Sequence, residues 1–150
     1  MHLIRKSLLA AIAAAATVVL VSGCGATDVT KSRVEAALAP TFANLYVKQA
    51  ALLGHQNVSI TSTDATATCD RGGPKVADEG PGADWICMVH FTDDAGNQQD
   101  GKFELQIKSN SCYMAGGPSK LIGLATITDI RGNDIVNPVF EFDGCFNPNG

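Results

Sequence analysis

The sequence predicts an α+β domain in which an N-terminal kinked amphipathic helix packs on an antiparallel sheet of about five strands, braced by two disulfides. Three observations predict it. Val34, Leu38, Phe42, Leu45 and Leu52 recur at helical spacing. From Asn57 onward the pattern changes to alternating polarity rich in Val, Ile and Thr. Four cysteines, Cys69, Cys87, Cys112 and Cys145, punctuate that second part. One helical segment followed by a run of strands is the order of a helix covering one face of a sheet.

The helix opens at Ser32-x-x-Glu35, which reads as a capping box. Pro40 lacks an amide donor and crowds the preceding turn, so a kink or short break is expected near Ala39. The second half then runs from Thr41 to about Leu53 and stops at Gly54. The apolar stripe reads as core.

"NVSITSTDATATC" reads as one or two extended pieces ending at Cys69, and "DRGGPKVADEGPGAD" as a mobile surface loop of glycine, proline and mixed charge. "DWICMVHF" places Trp85, Cys87, Val89 and Phe91 on one side and Ile86, Met88 and His90 on the other, as an interior strand would. "TDDAGN" turns the chain, and "GKFELQIKS" returns with Phe103, Leu105 and Ile107 inward and charged or amide residues outward, an antiparallel hairpin. "SCYMA" gives a short strand from Cys112, ended by Gly116-Gly117-Pro118. Extended pieces follow at Ala125–Ile127 and through Val139, Glu141 and Phe142 to Cys145, with a polar turn at Arg131 to Asp134 between them. Asn137-Pro138 suits a strand start or an edge, where a missing donor is tolerated. No internal repeat is apparent.

Ahead of this domain, Arg5 and Lys6 precede an apolar run from Leu8 to Val21 that only Thr17 interrupts, and Ser22-Gly23 follow. That is the layout of a secretory signal. The run is shorter than the roughly 20 residues a spanning helix needs. Val21-Ser22-Gly23-Cys24 resembles the lipobox of bacterial lipoproteins, with Val where Leu is more usual. The resemblance implies that the Cys24 sulfur is alkylated by a diacylglycerol, that the chain is cut just before it, and that the new amino terminus is acylated. A thiolate is the soft nucleophile such a thioether requires. A plain signal peptide with an incidental Cys24 is the alternative. Two or three acyl chains would hold the protein durably, since each buried CH₂ adds about 0.8 kcal/mol. The division expected is a signal peptide at 1–23, a lipidated tether at 24–31 and a single domain at 32–150.

With Cys24 assigned to lipid, four of the five cysteines remain, an even number in an oxidising compartment. Of their three possible pairings, Cys69–Cys87 with Cys112–Cys145 is favoured, because each joins neighbours in sequence on adjacent elements. Zinc is disfavoured: there is no C-x-x-C, and His55 and His90 stand at unrelated spacings.

Arg5 and Lys6 are the only charged residues of the leader, so the rest carries nine basic against fifteen acidic side chains, a net of −6 with histidine neutral. That balance disfavours nucleic acid and anionic headgroups as partners. Asp93, Asp94, Asn97 and Asp100 crowd one turn without the order of a calcium loop. No nucleophile elbow, phosphate-binding glycine loop or closely spaced cysteine pair occurs. No cofactor, metal or catalytic residue is therefore assigned. Trp85 and Phe146, each beside a cysteine, are candidates for a partner-binding patch, with packing over the bridges as the alternative.

The spacing Cys69, then Gly80-Pro81-Gly82-x-Asp84-Trp85-x-Cys87, Cys112-Tyr113, Asn137-Pro138 and Phe142-Asp143-Gly144-Cys145 resembles small secreted actinobacterial lipoproteins, a resemblance that implies no activity. The expectation is a lipid-anchored, non-enzymatic domain on the outer side of a bacterial cytoplasmic membrane that binds another envelope component. The alternative is a carrier of an apolar ligand between helix and sheet.

Overall fold

The computed structural model describes residues 29–146; Cys24 and its surroundings lie outside the described residues. Helix α1 spans Lys31–Leu52, α2 Ile60–Thr63 and α3 Ser119–Ile122. The strands are β1 Thr66–Asp70, β2 Gly82–Thr92, β3 Gln98–Ile107, β4 Cys112–Gly116, β5 Thr126–Thr128, β6 Asp134–Val136 and β7 Glu141–Cys145. Five of them form one antiparallel sheet in the order β1-β2-β3-β4-β7, and β5 and β6 form a separate hairpin. The fold is α+β, as the sequence predicts, and both favoured disulfides are present: Cys69–Cys87 joins β1 to β2 and Cys112–Cys145 joins β4 to β7, each between residues directly opposite in register.

α1 differs in detail from its expected form. Its N-cap is Thr30, whose hydroxyl accepts from the Arg33 amide, rather than Ser32. Glu35 serves the sheet instead of the helix end, its carboxylate accepting the Cys69 amide at 2.9 Å. β1 is an edge strand, and this bond, with Asp78 accepting the Arg71 amide, occupies donors that would otherwise face an intruding strand. The helix continues without a break through Pro40. Nearby side chains bond the adjoining turns: Thr41 Oγ1 donates to the Ala37 carbonyl at 2.8 Å, Asn44 Nδ2 to that of Pro40 at 2.7 Å, and Tyr113 Oη to that of Ala37 at 3.3 Å. The buried stripe runs Val34, Leu38, Phe42, Tyr46 and Ala50, every fourth residue, instead of turning through Leu45 to Leu52.

The domain also begins earlier than expected. Val29 is 1% exposed and its carbonyl accepts the Gly80 amide, and Thr30 bridges to Glu79, so residues 29–31 belong to the domain and not to the tether. The glycine-rich 71–81 loop is fastened rather than loose. Arg71 grips Asp84 through two nitrogens and lies 5.8 Å over the Trp85 ring, while Trp85 Nε1 donates to the Gly80 carbonyl.

α2 replaces part of an expected strand. Ser59 and Ser62 form a reciprocal capping box, and Asp64 takes a left-handed conformation to end the single turn, which overrides the β preference of Ile60 and the threonines.

β2 and β3 alternate as the sequence predicts. Trp85, Cys87, Val89, Phe91, Phe103, Leu105 and Ile107 point into the core, and Lys102, Glu104 and Gln106 out of it. Phe42 of α1 meets Phe91 at 4.8 Å and Phe103 at 5.4 Å, both edge to face, and Tyr46 meets Phe91 at 5.1 Å. The space between helix and sheet, where an apolar ligand was the alternative expectation, is occupied by these rings.

Candidate functional site

Trp85 and Phe146 do not form a surface patch. Trp85 is fully buried in the inward phase of β2, and Phe146 is 4% exposed with its ring 5.8 Å from that of Tyr113. Both belong to the cluster that encloses the Cys69–Cys87 bridge. Alternation decides this for Trp85: the phase that turns Cys87 toward Cys69 turns Trp85 inward too.

Asp84, His90 and Asp143, the polar groups a catalytic cleft would have to assemble, are not brought together. Asp84 and His90 stand six residues apart on one strand, about 20 Å. Asp143 lies on the far edge strand. Asp84 is engaged by Arg71, whose hydrogen bonds hold its carboxyl below the usual range, and His90 pairs with Asp100 across the β2–β3 ladder.

The chain does bring other residues together, at the end of α1, by means of a short internal repeat that the sequence reading overlooks. Thr92-Asp93-Asp94-Ala95-Gly96-Asn97 closes the β2–β3 hairpin, and Thr128-Asp129-Ile130-Arg131-Gly132-Asn133 closes β5–β6. The two turns share one hydrogen-bond pattern. The first aspartate donates its amide to the carbonyl of the asparagine four residues on, at 2.9 Å in both. Its Oδ1 accepts the amides two and four residues ahead, at 3.0 and 2.8 Å for Asp93 and 2.8 and 2.9 Å for Asp129. Glycine follows with φ of 84° and 83°, a left-handed conformation that glycine adopts without steric cost. These amide donors hold both carboxyls below the ordinary aspartate range, the Asn97 and Asn133 amides contributing most.

In each turn the third residue reaches the end of α1. The helix stops in a Schellman motif: the Gly54 amide donates to the Ala51 carbonyl and the His55 amide to that of Ala50, with Gly54 at φ 87°. The Asp94 carboxylate meets His55 Nδ1, and the Asp94 amide donates to the Tyr46 hydroxyl oxygen at 3.2 Å. Burial raises the pKa of that hydroxyl, so it stays protonated. The Ile130 amide donates to the Leu52 carbonyl at 3.1 Å, and Gly54 is so close that a Cβ there would lie 2.8 Å from Ile130 Cγ2.

Between the two turns lies an open cleft of about 200 Å³, lined by Tyr46, Gln49, His55, Asp94, Leu121 and Ile127. Its floor is a buried amide network: Gln49 Nε2 donates to the Asn137 Oδ1 at 2.8 Å and to the Ile122 carbonyl, and Asn137 Nδ2 donates to the carbonyls of Ile122 and Leu124, both at 2.9 Å. Asn137, expected at a strand start or an edge, is fully buried just after β6. On the β5–β6 hairpin and the segment leading into it, Leu124, Ile130 and Val136 are 70%, 67% and 80% exposed, an apolar rim of the hairpin; Ile127 faces the cleft, and Val136, opposite Thr126, lies on the other face of the hairpin. Three large apolar side chains at such exposure on one small hairpin exceed what a solvated surface needs. The consecutive apolar pair Ile135-Val136 is the sequence signal that could have found it, since alternation must place one of the two outward.

Among the described residues, no three His, Cys, Asp or Glu side chains converge as metal ligands, and no helix is long and apolar enough to cross a membrane. Comparison with protein-family models, with curated proteins and with solved structures gives no match.

Proposed function

We propose that the chain is a lipid-anchored, extracytoplasmic binding domain of a bacterial envelope, without catalytic chemistry of its own, held to the membrane through Cys24 and engaging another envelope component with the end of the domain where α1 stops. The observation that carries this reading is the exposed apolar rim of Leu124, Ile130 and Val136 on the β5–β6 hairpin and the segment leading into it, at the end of the domain where the cleft opens. Exposed apolar side chains beside polar ones have the composition of a protein-binding patch.

The direction of the chain supports it. A tether from Cys24 would join the domain at Val29, beside the start of α1, and the 22 residues of α1 carry the chain about 33 Å to the cleft. Anchor and binding end are thus opposite ends of one rigid element, which leaves the rim clear of the acyl chains. Two disulfides that join strands suit a domain working in an oxidising compartment.

The test is photo-crosslinking in intact cells from a reactive residue placed in turn at Leu124, Ile130, Val136 and, as control, Ser109 in the β3–β4 turn at the anchored end. The reading predicts one shared adduct from the three rim positions and none from Ser109. Equal adducts from all four, or none from the rim, would contradict it.

A further inference from the structure

A second surface, independent of the α1 end, is the outer face of the five-stranded sheet, which none of the described helices covers. Register places one row of residues straight across it: Asp70 on β1, Ile86 on β2, Glu104 on β3, Gly116 on β4 and Glu141 on β7. Ile86 is half-buried, as are Met88 and Met114 beside the row, so the face has an apolar floor. Gly116 adds no side chain, and a Cβ there would touch nothing within 4 Å. The surface is hollow at that point: two shallow recesses, about 530 and 230 Å³, both include Glu104, Gly116 and Glu141.

The charge on this floor is one-sided. Asp70, Glu104, Glu141 and Asp143 are exposed, and Lys102, 3.8 Å from Glu104, is the cation among them; Glu141 and Asp143 have no cationic partner among the described residues. The carboxylates are spread out, not gathered for a metal ion. Asp70, Glu104 and Glu141 stand on alternate strands, so their backbone positions follow one another at about 10 Å along the row. An extended segment in the polyproline II conformation brings every third residue to the same side at about 9.3 Å intervals. Its basic side chains at that spacing would meet the three acids while its stem atoms cover Ile86 and fill the hollow over Gly116.

We propose that this face docks an extended segment of a partner protein that carries lysine or arginine at every third position. Charge complementarity fixes the sign of the partner, and the strand spacing fixes its register. Repulsion also turns this face away from anionic headgroups, which leaves it accessible beside a membrane.

The experiment uses the full chain as isolated from membranes, in a zwitterionic detergent, and a fluorescent peptide with three lysines at every third position among alanine and serine. Binding is read by anisotropy at 50 and 200 mM salt. The proposal predicts binding that weakens at least tenfold at the higher salt, and at least tenfold at low salt in Glu104→Gln/Glu141→Gln. It also predicts several-fold weaker binding of a peptide with the same lysines adjacent. Asp64→Asn/Asp134→Asn removes the same charge elsewhere and should leave binding unchanged. An equal loss in that control would reduce the effect to net charge and overturn the proposal, as would equal binding of the adjacent-lysine peptide or no binding at low salt. Leu124→Ser/Ile130→Ser/Val136→Ser should bind the peptide normally, so failure here and failure of the rim reading are separate results.

Discussion

Gln49 and Asn137, 88 residues apart in sequence, meet side chain to side chain at 2.8 Å beneath the cleft, and through this bond the β5–β6 hairpin is fixed to α1. Both amides are buried, and Asn137 also donates to two carbonyls of the segment before β5. Asn137→Leu keeps the volume and removes every one of these bonds; the Ile122 carbonyl keeps its bond from Gln49, but the Leu124 carbonyl loses its Asn137 donor and the buried Val139 amide loses its acceptor. A buried polar group left unsatisfied costs about 1–3 kcal/mol, so the variant should lose about 3 kcal/mol in urea unfolding. Hydrogen exchange should increase most in β5 and β6. A loss below about 0.5 kcal/mol would mean that the network does not hold the hairpin.

Acid sensitivity follows from the paired turns. Asp93 and Asp129 have carboxyls held below the ordinary value by the amides they accept. A depressed folded-state pKa contributes stability that is complete above the unfolded value of about 3.9 and disappears as pH falls through the folded one. Asp93→Asn/Asp129→Asn keeps an oxygen acceptor and removes the charge. The double variant should be less stable than the parent at pH 6, with the difference narrowing below about pH 4 and closing at lower pH. Urea midpoints across pH 2 to 7 measure this, and a difference independent of pH would contradict it.

The disulfides should differ in worth according to the chain they enclose. Cys69–Cys87 closes a separation of 18 residues and Cys112–Cys145 one of 33. Loop-closure entropy gives about 3 kcal/mol for the first and slightly under 4 kcal/mol for the second. Cys112→Ser/Cys145→Ser should therefore destabilise more than Cys69→Ser/Cys87→Ser in urea unfolding. The reverse order would indicate that loop length does not set their contribution.

What could be read from sequence was whatever repeats with a short period or has one dominant cause. β3 shows clean alternation because one of its faces meets water, and its exposed Lys102, Glu104 and Gln106 are as plain in sequence as in the fold. The cysteine pairing was legible because antiparallel neighbours place such residues opposite one another. What escaped depended on tertiary context. Pro40 stays inside the helix on its exposed side, while Leu38, Ala39, Phe42 and Ala43 on either side of it are buried against the sheet. Ser59 nucleates a turn of helix within a stretch whose composition favours a strand. Asn137 is polar by type and buried by partners that lie elsewhere in the chain. The repeated turn was missed because its two variable positions, Asp94-Ala95 and Ile130-Arg131, differ in every property, while the four residues that shape the turn are identical.

The reading of the chain as an envelope protein rests on Cys24, and the direct measurement is the intact mass of the protein extracted from membranes, followed by sequencing of its amino-terminal peptide by tandem mass spectrometry. The account predicts a chain that starts at Cys24 and carries a diacylglyceryl thioether, and a Cys24→Ala form that is not cut before residue 24 and carries no lipid mass. An amino terminus elsewhere with an unmodified Cys24, or unchanged processing and lipid mass in the Cys24→Ala form, would contradict it.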